Sequence, residues 1–177
     1  MTNLLVPWLA GQDFTPTFFN ATIDNALSVK YQTADTIRNA TTTYLDSTDL
    51  VLPLLANAAY TFDCCIFYDT SAAADCKIRF TFPASTAALI VPWASTNTAN
   101  TTATNTINQQ ASVPVSNIIE FTLSGVASGT IMSARPSGWI NVSTTAGNLV
   151  IGHAQNTSTA VNTLLKKGSW ITLSRVF

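Results

Sequence analysis

The chain has 177 residues, of which only 10% are charged and 47% are hydrophobic, and its net charge at pH 7 is −1. This length is enough for one domain with a buried core. Its eight Lys and Arg residues form no basic run that could neutralise a row of phosphates, so the composition argues against nucleic-acid binding. No apolar stretch of about eighteen residues occurs, and the N-terminus lacks a basic segment followed by an apolar core, so we expect neither a membrane span nor a signal peptide.

The low charge also indicates the fold class. A typical soluble domain has about 25% charged residues, whereas Thr, Ser, Asn and Gln supply most of the polarity in this chain. Glu and Lys, which favour helices, are scarce, and β-branched residues are abundant. The composition therefore predicts an all-β protein.

The first 33 residues differ from the rest of the chain. Thr15 and Pro16 are typical of the N-cap and the first position of a helix, and Phe19, Ile23 and Leu27 recur at helical spacing. The helix either packs on its own domain or belongs to an arm that docks on another subunit or a larger particle. The amount of aromatic surface favours the arm. The candidate attachment residues are Leu4, Leu5, Trp8, Phe14, Phe18, Phe19 and Ile23.

Two strands are predicted after this segment. Residues 37–45 are rich in Thr and indicate an edge or interface strand, residues 46–49 a turn, and residues 50–55 a second strand. Pro53 cannot donate a hydrogen bond to a ladder. We therefore expect the second strand to lie at an edge or to be bulged.

The clearest pattern lies between residues 60 and 82. Residues 60–69 and 76–82 each alternate between apolar and polar side chains, which indicates strands with one buried face. The short small-residue turn between them predicts an antiparallel hairpin. In such a hairpin an aspartate such as Asp63 would lie near a basic residue such as Arg79.

Cysteine and aromatic side chains interrupt this pattern. Cys65 and Phe67 fall on the polar face of the first strand, which suggests that something covers part of that face. The three cysteines, Cys64, Cys65 and Cys76, are an odd number, and the hairpin would hold Cys64 and Cys76 too far apart for a disulfide. We expect reduced thiols, and a metal site is disfavoured by the single histidine and the lack of a C-x-x-C motif.

The remainder of the chain predicts further strands around one long loop. Residues 94–111 are almost wholly small and polar, and form a loop that is either solvated or crosses onto a neighbouring subunit. The last strand is apolar enough to be expected inside a sheet. Eight to ten strands at roughly ten-residue spacing indicate a sandwich or barrel. The remaining predicted strands span residues 89–93, 117–124, 130–134, 139–144, 149–154 and 170–177.

The sequence offers little evidence for an active site. His153 is the only histidine, no G-x-S-x-G elbow occurs, and its phase with apolar neighbours predicts a half-buried side chain rather than a base. A pair of Cys65 and His153 is conceivable but disfavoured. Carboxylates could be drawn from Asp63, Asp69 and Asp75 for glycoside cleavage, but ordinary cross-strand ion pairs explain them better. We predict no enzymatic activity.

Six phrases of the sequence carry a family resemblance: AGQDFT (10–15), DLVLPL (49–54), ANAAYTF (56–62), ADCKIRFTFP (74–83), AQNTS (154–158) and KGSWITLSRV (167–176). They resemble a domain found in structural proteins of tailed bacteriophages that infect actinobacteria and related hosts. The resemblance covers most of residues 10–176, and its phrases are distinctive as a set. The N-terminal phrase resembles the leading segment of phage tail-associated proteins, although Pro16 and the pair Phe18 and Phe19 depart from it.

This resemblance implies a virion structural protein with a trimeric jelly roll and with no catalytic residues or cofactor. We therefore predict an attachment arm over residues 1–33, carrying the short helix, and a jelly-roll-like antiparallel β-sandwich over residues 34–177. A low-charge outer face loses its hydration at small cost on association, so we predict a trimer interface that includes Phe67, Trp93 and Trp139.

Two roles fit such a protein. A homotrimeric capsid decoration protein would bind the major capsid protein and stabilise the particle surface. A short tail fibre or minor tail protein would bind other tail proteins and contact the host surface, where it could bind a glycan. The chain lacks coiled-coil heptads or collagen-like repeats for a shaft, which favours decoration. In either role the protein would fold in the host bacterial cytoplasm and end up in the virion.

Overall fold

The computed structural model describes residues 27–91, 94–95 and 117–176. These residues form thirteen β-strands and no helix, so they include no helix that could cross a membrane. The strands are β1 (Leu27–Tyr31), β2 (Thr36–Arg38), β3 (Leu45–Leu54), β4 (Ala59–Asp69), β5 (Cys76–Thr81), β6 (Ala87–Val91), β7 (Ala94–Ser95), β8 (Ile118–Leu123), β9 (Ile131–Ala134), β10 (Ser137–Asn141), β11 (Gly147–Gln155), β12 (Thr163–Leu165) and β13 (Trp170–Arg175).

The strands form two packed antiparallel sheets. The large sheet has the order β1-β13-β4-β10-β6, continued by β2, β12, β9 and β7, and the small sheet has the order β3-β11-β5-β8. Eight of these strands, β1, β3, β4, β5, β8, β10, β11 and β13, show the connectivity most clearly. Counted along the chain, the large-sheet strands β1, β13, β4 and β10 are the first, eighth, third and sixth of the eight. The small sheet takes the second, seventh, fourth and fifth. This connectivity is that of a jelly roll, and it confirms the predicted all-β sandwich.

The long central strand β4 runs through an interruption in its neighbours. On one side β13 ends its pairing at Cys65 and β12 resumes at Tyr68, and on the other side β10 gives way to β9. Here the Cys64 N–H donates to the carbonyl of Pro136 at 3.0 Å. The Ser169 hydroxyl accepts from the Phe67 N–H at 2.9 Å. These bonds satisfy backbone groups that the ladder leaves open.

Alternating side chains from both sheets fill the interior. The inward positions of β4 and β5 are buried, as the alternation predicts. Phe80 of the small sheet lies between two rings, with its centroid 5.7 Å from that of Phe62 in the large sheet and 5.9 Å from that of Phe121. Contacts between rings of the two sheets are typical of a sandwich core.

The predicted hairpin of β4 and β5 is wrong, because these strands lie in different sheets. Their apolar faces meet across the core instead of lying side by side. The connection reverses the chain at Asp75, which has a positive φ of 49°. The expected ion pairs are therefore replaced: Asp63 pairs with Arg135, which lies between β9 and β10, and Arg79 pairs with Asp46 of the small sheet. Alternation identifies the buried face of a strand but not its partner.

Two local predictions are also wrong. Leu27 begins β1 rather than ending a helix, because residues 27–31 pair with β13 at the edge of the large sheet. The turn predicted at residues 46–49 lies within β3, where the buried Ser47 hydroxyl accepts from the Leu50 N–H at 2.9 Å. In contrast, the edge position predicted for the strand with Pro53 is confirmed, since β3 ends the small sheet. The interior position predicted for the last strand is confirmed for β13.

Candidate association surface

The outer face of the large sheet, defined as its side away from the core, is unusually apolar. The outward positions of β4 carry Cys65 and Phe67, both only partly covered. Elsewhere on the sheet Val29, Ile131 and Leu89 are substantially exposed. Polar side chains such as Thr61 and Asp63 lie between these apolar side chains, and exposed apolar groups on an open sheet face mark a candidate association site.

Two aromatic side chains and one arginine lie close together on this face, between the edge strand β1 and the central strand β4. Tyr31, Trp170 and Cys65 are direct neighbours across β1, β13 and β4. Tyr31 is 63% exposed. The guanidinium carbon of Arg135 lies 5.8 Å from the centre of the Trp170 ring, within range of a cation–π contact. These four residues and Phe67 are called the aromatic patch below.

An ion pair neutralises the charge at the aromatic patch. The Arg135 guanidinium donates to a carboxylate oxygen of Asp63 at 2.9 Å, and both side chains are largely exposed. The hydrogen bond that Arg135 donates to Asp63 raises the pKa of Arg135 above its ordinary value. Because exposed pairs of this kind contribute little to stability, we assign this pair to the surface properties of the patch rather than to the fold.

A second apolar group lies toward the other end of the outer face. Trp139 of β10 pairs directly with Leu89 of β6, and these side chains are 37% and 43% exposed. Trp139 lies opposite Thr61, six residues from Phe67 along β4. At about 3.4 Å per residue this separation is about 20 Å. The outer face therefore carries two apolar groups on one surface.

The structure brings together some of the predicted interface residues. Phe67 and Trp139 share the outer face, although they belong to different groups on it. Trp93 and the candidate attachment residues lie outside the described residues, as do positions 96–111 of the predicted long loop. Sequence reasoning missed the contributions of Tyr31, Trp170 and Arg135. The alternation of residues 170–175 could have predicted that Trp170 faces outward, because its neighbour Ile171 is buried and successive residues of a strand face opposite sides.

The three cysteines occupy two environments. Cys64 and Cys76 are fully buried free thiols, whereas Cys65 is only partly covered on the outer face. Burial raises the pKa of all three thiols. Cys65 is therefore the thiol that reagents reach first, and its elevated pKa does not suit it to nucleophilic catalysis.

His153 lies in the interior on β11, between Leu45 and Ile78 of the adjacent strands. Burial lowers its pKa from 6.5 to about 4, and the charge of Arg38 acts in the same direction, while backbone groups of Thr36 and Leu45 oppose the shift. Neither ring nitrogen has a partner at good hydrogen-bond geometry, although backbone groups of Thr36 and Leu45 lie near the ring. Since Cys65 faces out of the other sheet, the structure does not pair these two residues.

Each of the carboxylates considered for catalysis binds a different partner. Asp63 pairs with Arg135, Asp69 accepts from the N–H of Gly129 at 2.9 Å, and Asp75 accepts from the N–H of Gly125 at 2.7 Å. Among the described residues, no group of three His, Cys, Asp or Glu side chains is placed to hold a metal ion.

The outer face of the small sheet has a different character. Asp46, Gly152, Arg79 and Glu120 form one row across its four strands. Asp46 reaches over Gly152 to accept from Arg79 at 2.7 Å, and the Arg79 guanidinium carbon lies 4.4 Å from the centre of the Tyr44 ring. A Cβ at Gly152 would lie 2.5 Å from an Asp46 carboxylate oxygen. A side chain at position 152 would therefore displace the Asp46 carboxylate from its place in the charged row.

Comparisons with known proteins identify no relative by sequence. No family model matches the chain, and no curated protein matches it. One solved structure, described as that of the Gx strain of infectious bursal disease virus, is similar over 84% of this chain with 13% identity and a TM-score of 0.20. The chain spans 40% of the length of that protein. A similarity this small establishes neither a common fold nor a common function.

Proposed function

We propose that this chain is a non-enzymatic structural protein of a bacteriophage virion, where it acts as a homotrimeric decoration protein on the capsid. The observation that carries the proposal is the apolar outer face of the large sheet. Jelly rolls serve many unrelated functions, so the fold alone does not select this role. The resemblance of the sequence to phage structural proteins adds to the observation on the surface.

The size of the outer face suits an association surface. The large sheet is five strands wide and β4 is 11 residues long. With strands about 4.8 Å apart and about 3.4 Å per residue, the face measures about 24 by 37 Å, or about 900 Å². A standard interface buries about 800 Å² on each partner. The face is therefore large enough for one stable contact.

The two outer faces suit a protein that lies on a particle surface. The outer face of the large sheet offers mainly apolar and neutral polar side chains, with the mutually neutralised pair of Asp63 and Arg135, and apolar and neutral side chains lose their hydration at small cost on association. The small sheet offers the charged row with Asp46 and Arg79, which keeps its hydration best when it faces solvent. In this role the attachment residues that precede β1 would bind the major capsid protein, and the trimer would add contact area between capsomers.

The test is to locate the chain in purified virions. Mass spectrometry of virion proteins should detect it, and immunogold labelling with antibody against the recombinant protein should mark the head. The recombinant protein should have three times the chain mass of 18.9 kDa in solution. Labelling at the tail would replace decoration with the tail-fibre role, and absence from virions would refute the proposed function.

A further inference from the structure

The aromatic patch has the composition of an interface centre. Alanine scans of protein interfaces find most of the binding energy in a few Trp, Tyr and Arg residues near the centre of the contact. Tyr31, Trp170 and Arg135 meet here within one cross-strand neighbourhood. None of them is required by the core, because all three side chains lie outside the sandwich interior.

We infer that the aromatic patch is the centre of a contact between two copies of this chain. This inference rests on the proposed function, because it names the surface through which the trimer would form. In a cyclic trimer the contact is heterologous, so the patch of one copy meets a different surface of the next.

Charge and shape favour a second copy as the occupant. Asp63 and Arg135 neutralise each other beside the patch, so the patch offers no net charge that would select an acidic or basic partner. The chain itself has a net charge of −1 and few charged residues, so copies approach without strong repulsion. The patch also lies on an open sheet face, whereas small ligands prefer concave sites, and the face has the area of one half of a standard protein interface.

The chain provides its own reporter of this contact. Cys65 lies next to Trp170 in the patch, while Cys64 and Cys76 are buried in the core and serve as internal controls. A copy seated on the patch covers Cys65. The reaction of Cys65 with a maleimide should therefore slow as the protein concentration rises through the dissociation constant. Peptide mass spectrometry assigns the measured reaction rate to Cys65.

The experiment combines this labelling with sedimentation equilibrium of the full-length chain and two variants. Tyr31→Glu places a charge on an exposed position of the patch. Leu55→Glu is the matched control, because Leu55 is 45% exposed and follows β3 in the small sheet. Tyr31→Glu should raise the dissociation constant at least about thirtyfold, as loss of a hot-spot side chain does, and Leu55→Glu should change it less than about threefold. Thermal melts of both variants verify that they fold.

Four outcomes would overturn the inference, and a fifth would overturn only the proposed function. If the two variants raised the dissociation constant equally, the contact would lie elsewhere, and the trimer of the proposed function would still stand. If the protein were a monomer and Cys65 reacted slowly at every concentration, the chain's own N-terminal segment would cover the patch. If Cys65 reacted fast at every concentration, the patch would remain exposed to solvent. A monomer that is found in virions would overturn this contact and leave the virion role standing. Association through the patch, with the chain absent from virions, would do the reverse.

Discussion

Acid should destabilise this fold through His153. The side chain is fully buried, and burial lowers its pKa from 6.5 to about 4 even though backbone groups of Thr36 and Leu45 oppose the shift. The unfolded chain therefore binds this proton as the pH falls through 6.5, whereas the folded chain binds it only near pH 4. Stability is unaffected above pH 6.5 and is lost between these values, by about 2 kcal/mol between pH 7 and pH 5 and about 3 kcal/mol in all.

Urea unfolding of the natural chain and of His153→Leu at pH 7 and pH 5 tests this magnitude. The substitution keeps a similar volume and removes the titrating group, while the carboxylates titrate in both proteins and cancel in the comparison. The difference in unfolding free energy between the two proteins should shift by about 2 kcal/mol in favour of His153→Leu at pH 5. Equal losses of stability on acidification would refute the assignment of the pH dependence to this imidazole.

Three further predictions concern the two sheets. Gly152→Val should lower the free energy of unfolding by about 1–3 kcal/mol because the new side chain displaces Asp46. The control Asp46→Asn should lower it by less than about 1 kcal/mol because the ion pair is at the surface. Equal effects of the two substitutions in urea unfolding would contradict the steric reason. Under native conditions at a concentration too low for association, a thiol titration should show one faster cysteine, Cys65, and two that react only on unfolding. Ser169→Ala should destabilise the protein by about 1–2 kcal/mol, since it leaves the Phe67 N–H without its acceptor, and a hydrogen-exchange rate of that amide equal to the natural one would argue against this account.

The sequence predicts the buried faces of this fold better than its strand pairing. Alternation over residues 60–69 and 76–82 identifies the inward side chains because one face of each strand is buried. It does not predict that β4 and β5 lie in opposite sheets, because an apolar face is buried equally well in a hairpin or across a sandwich core. That choice depends on β13, which comes almost a hundred residues later and occupies the place beside β4.

The residues of the association surface divide in the same way, into those that a local pattern predicts and those that depend on strand pairing. Phe67 could be predicted from its outward parity within β4, since that requires only local pattern. Tyr31 and Arg135 could not, because their approach to Trp170 depends on the order β1-β13-β4 and on the cation–π contact from the end of β9. Trp170 is 139 positions from Tyr31 and 35 from Arg135, and convergence over such separations has no signature in a single sequence.

The interruption beside β4 has a consequence for how this protein can diverge. The path of the large sheet there is fixed by the Pro136 carbonyl and the Ser169 hydroxyl, which bind backbone atoms of Cys64 and Phe67. The side chains displayed on the outer face take no part in these bonds. Selection can therefore replace the displayed side chains one at a time, and so change which neighbour is recognised, while the descendants inherit an unchanged backbone frame.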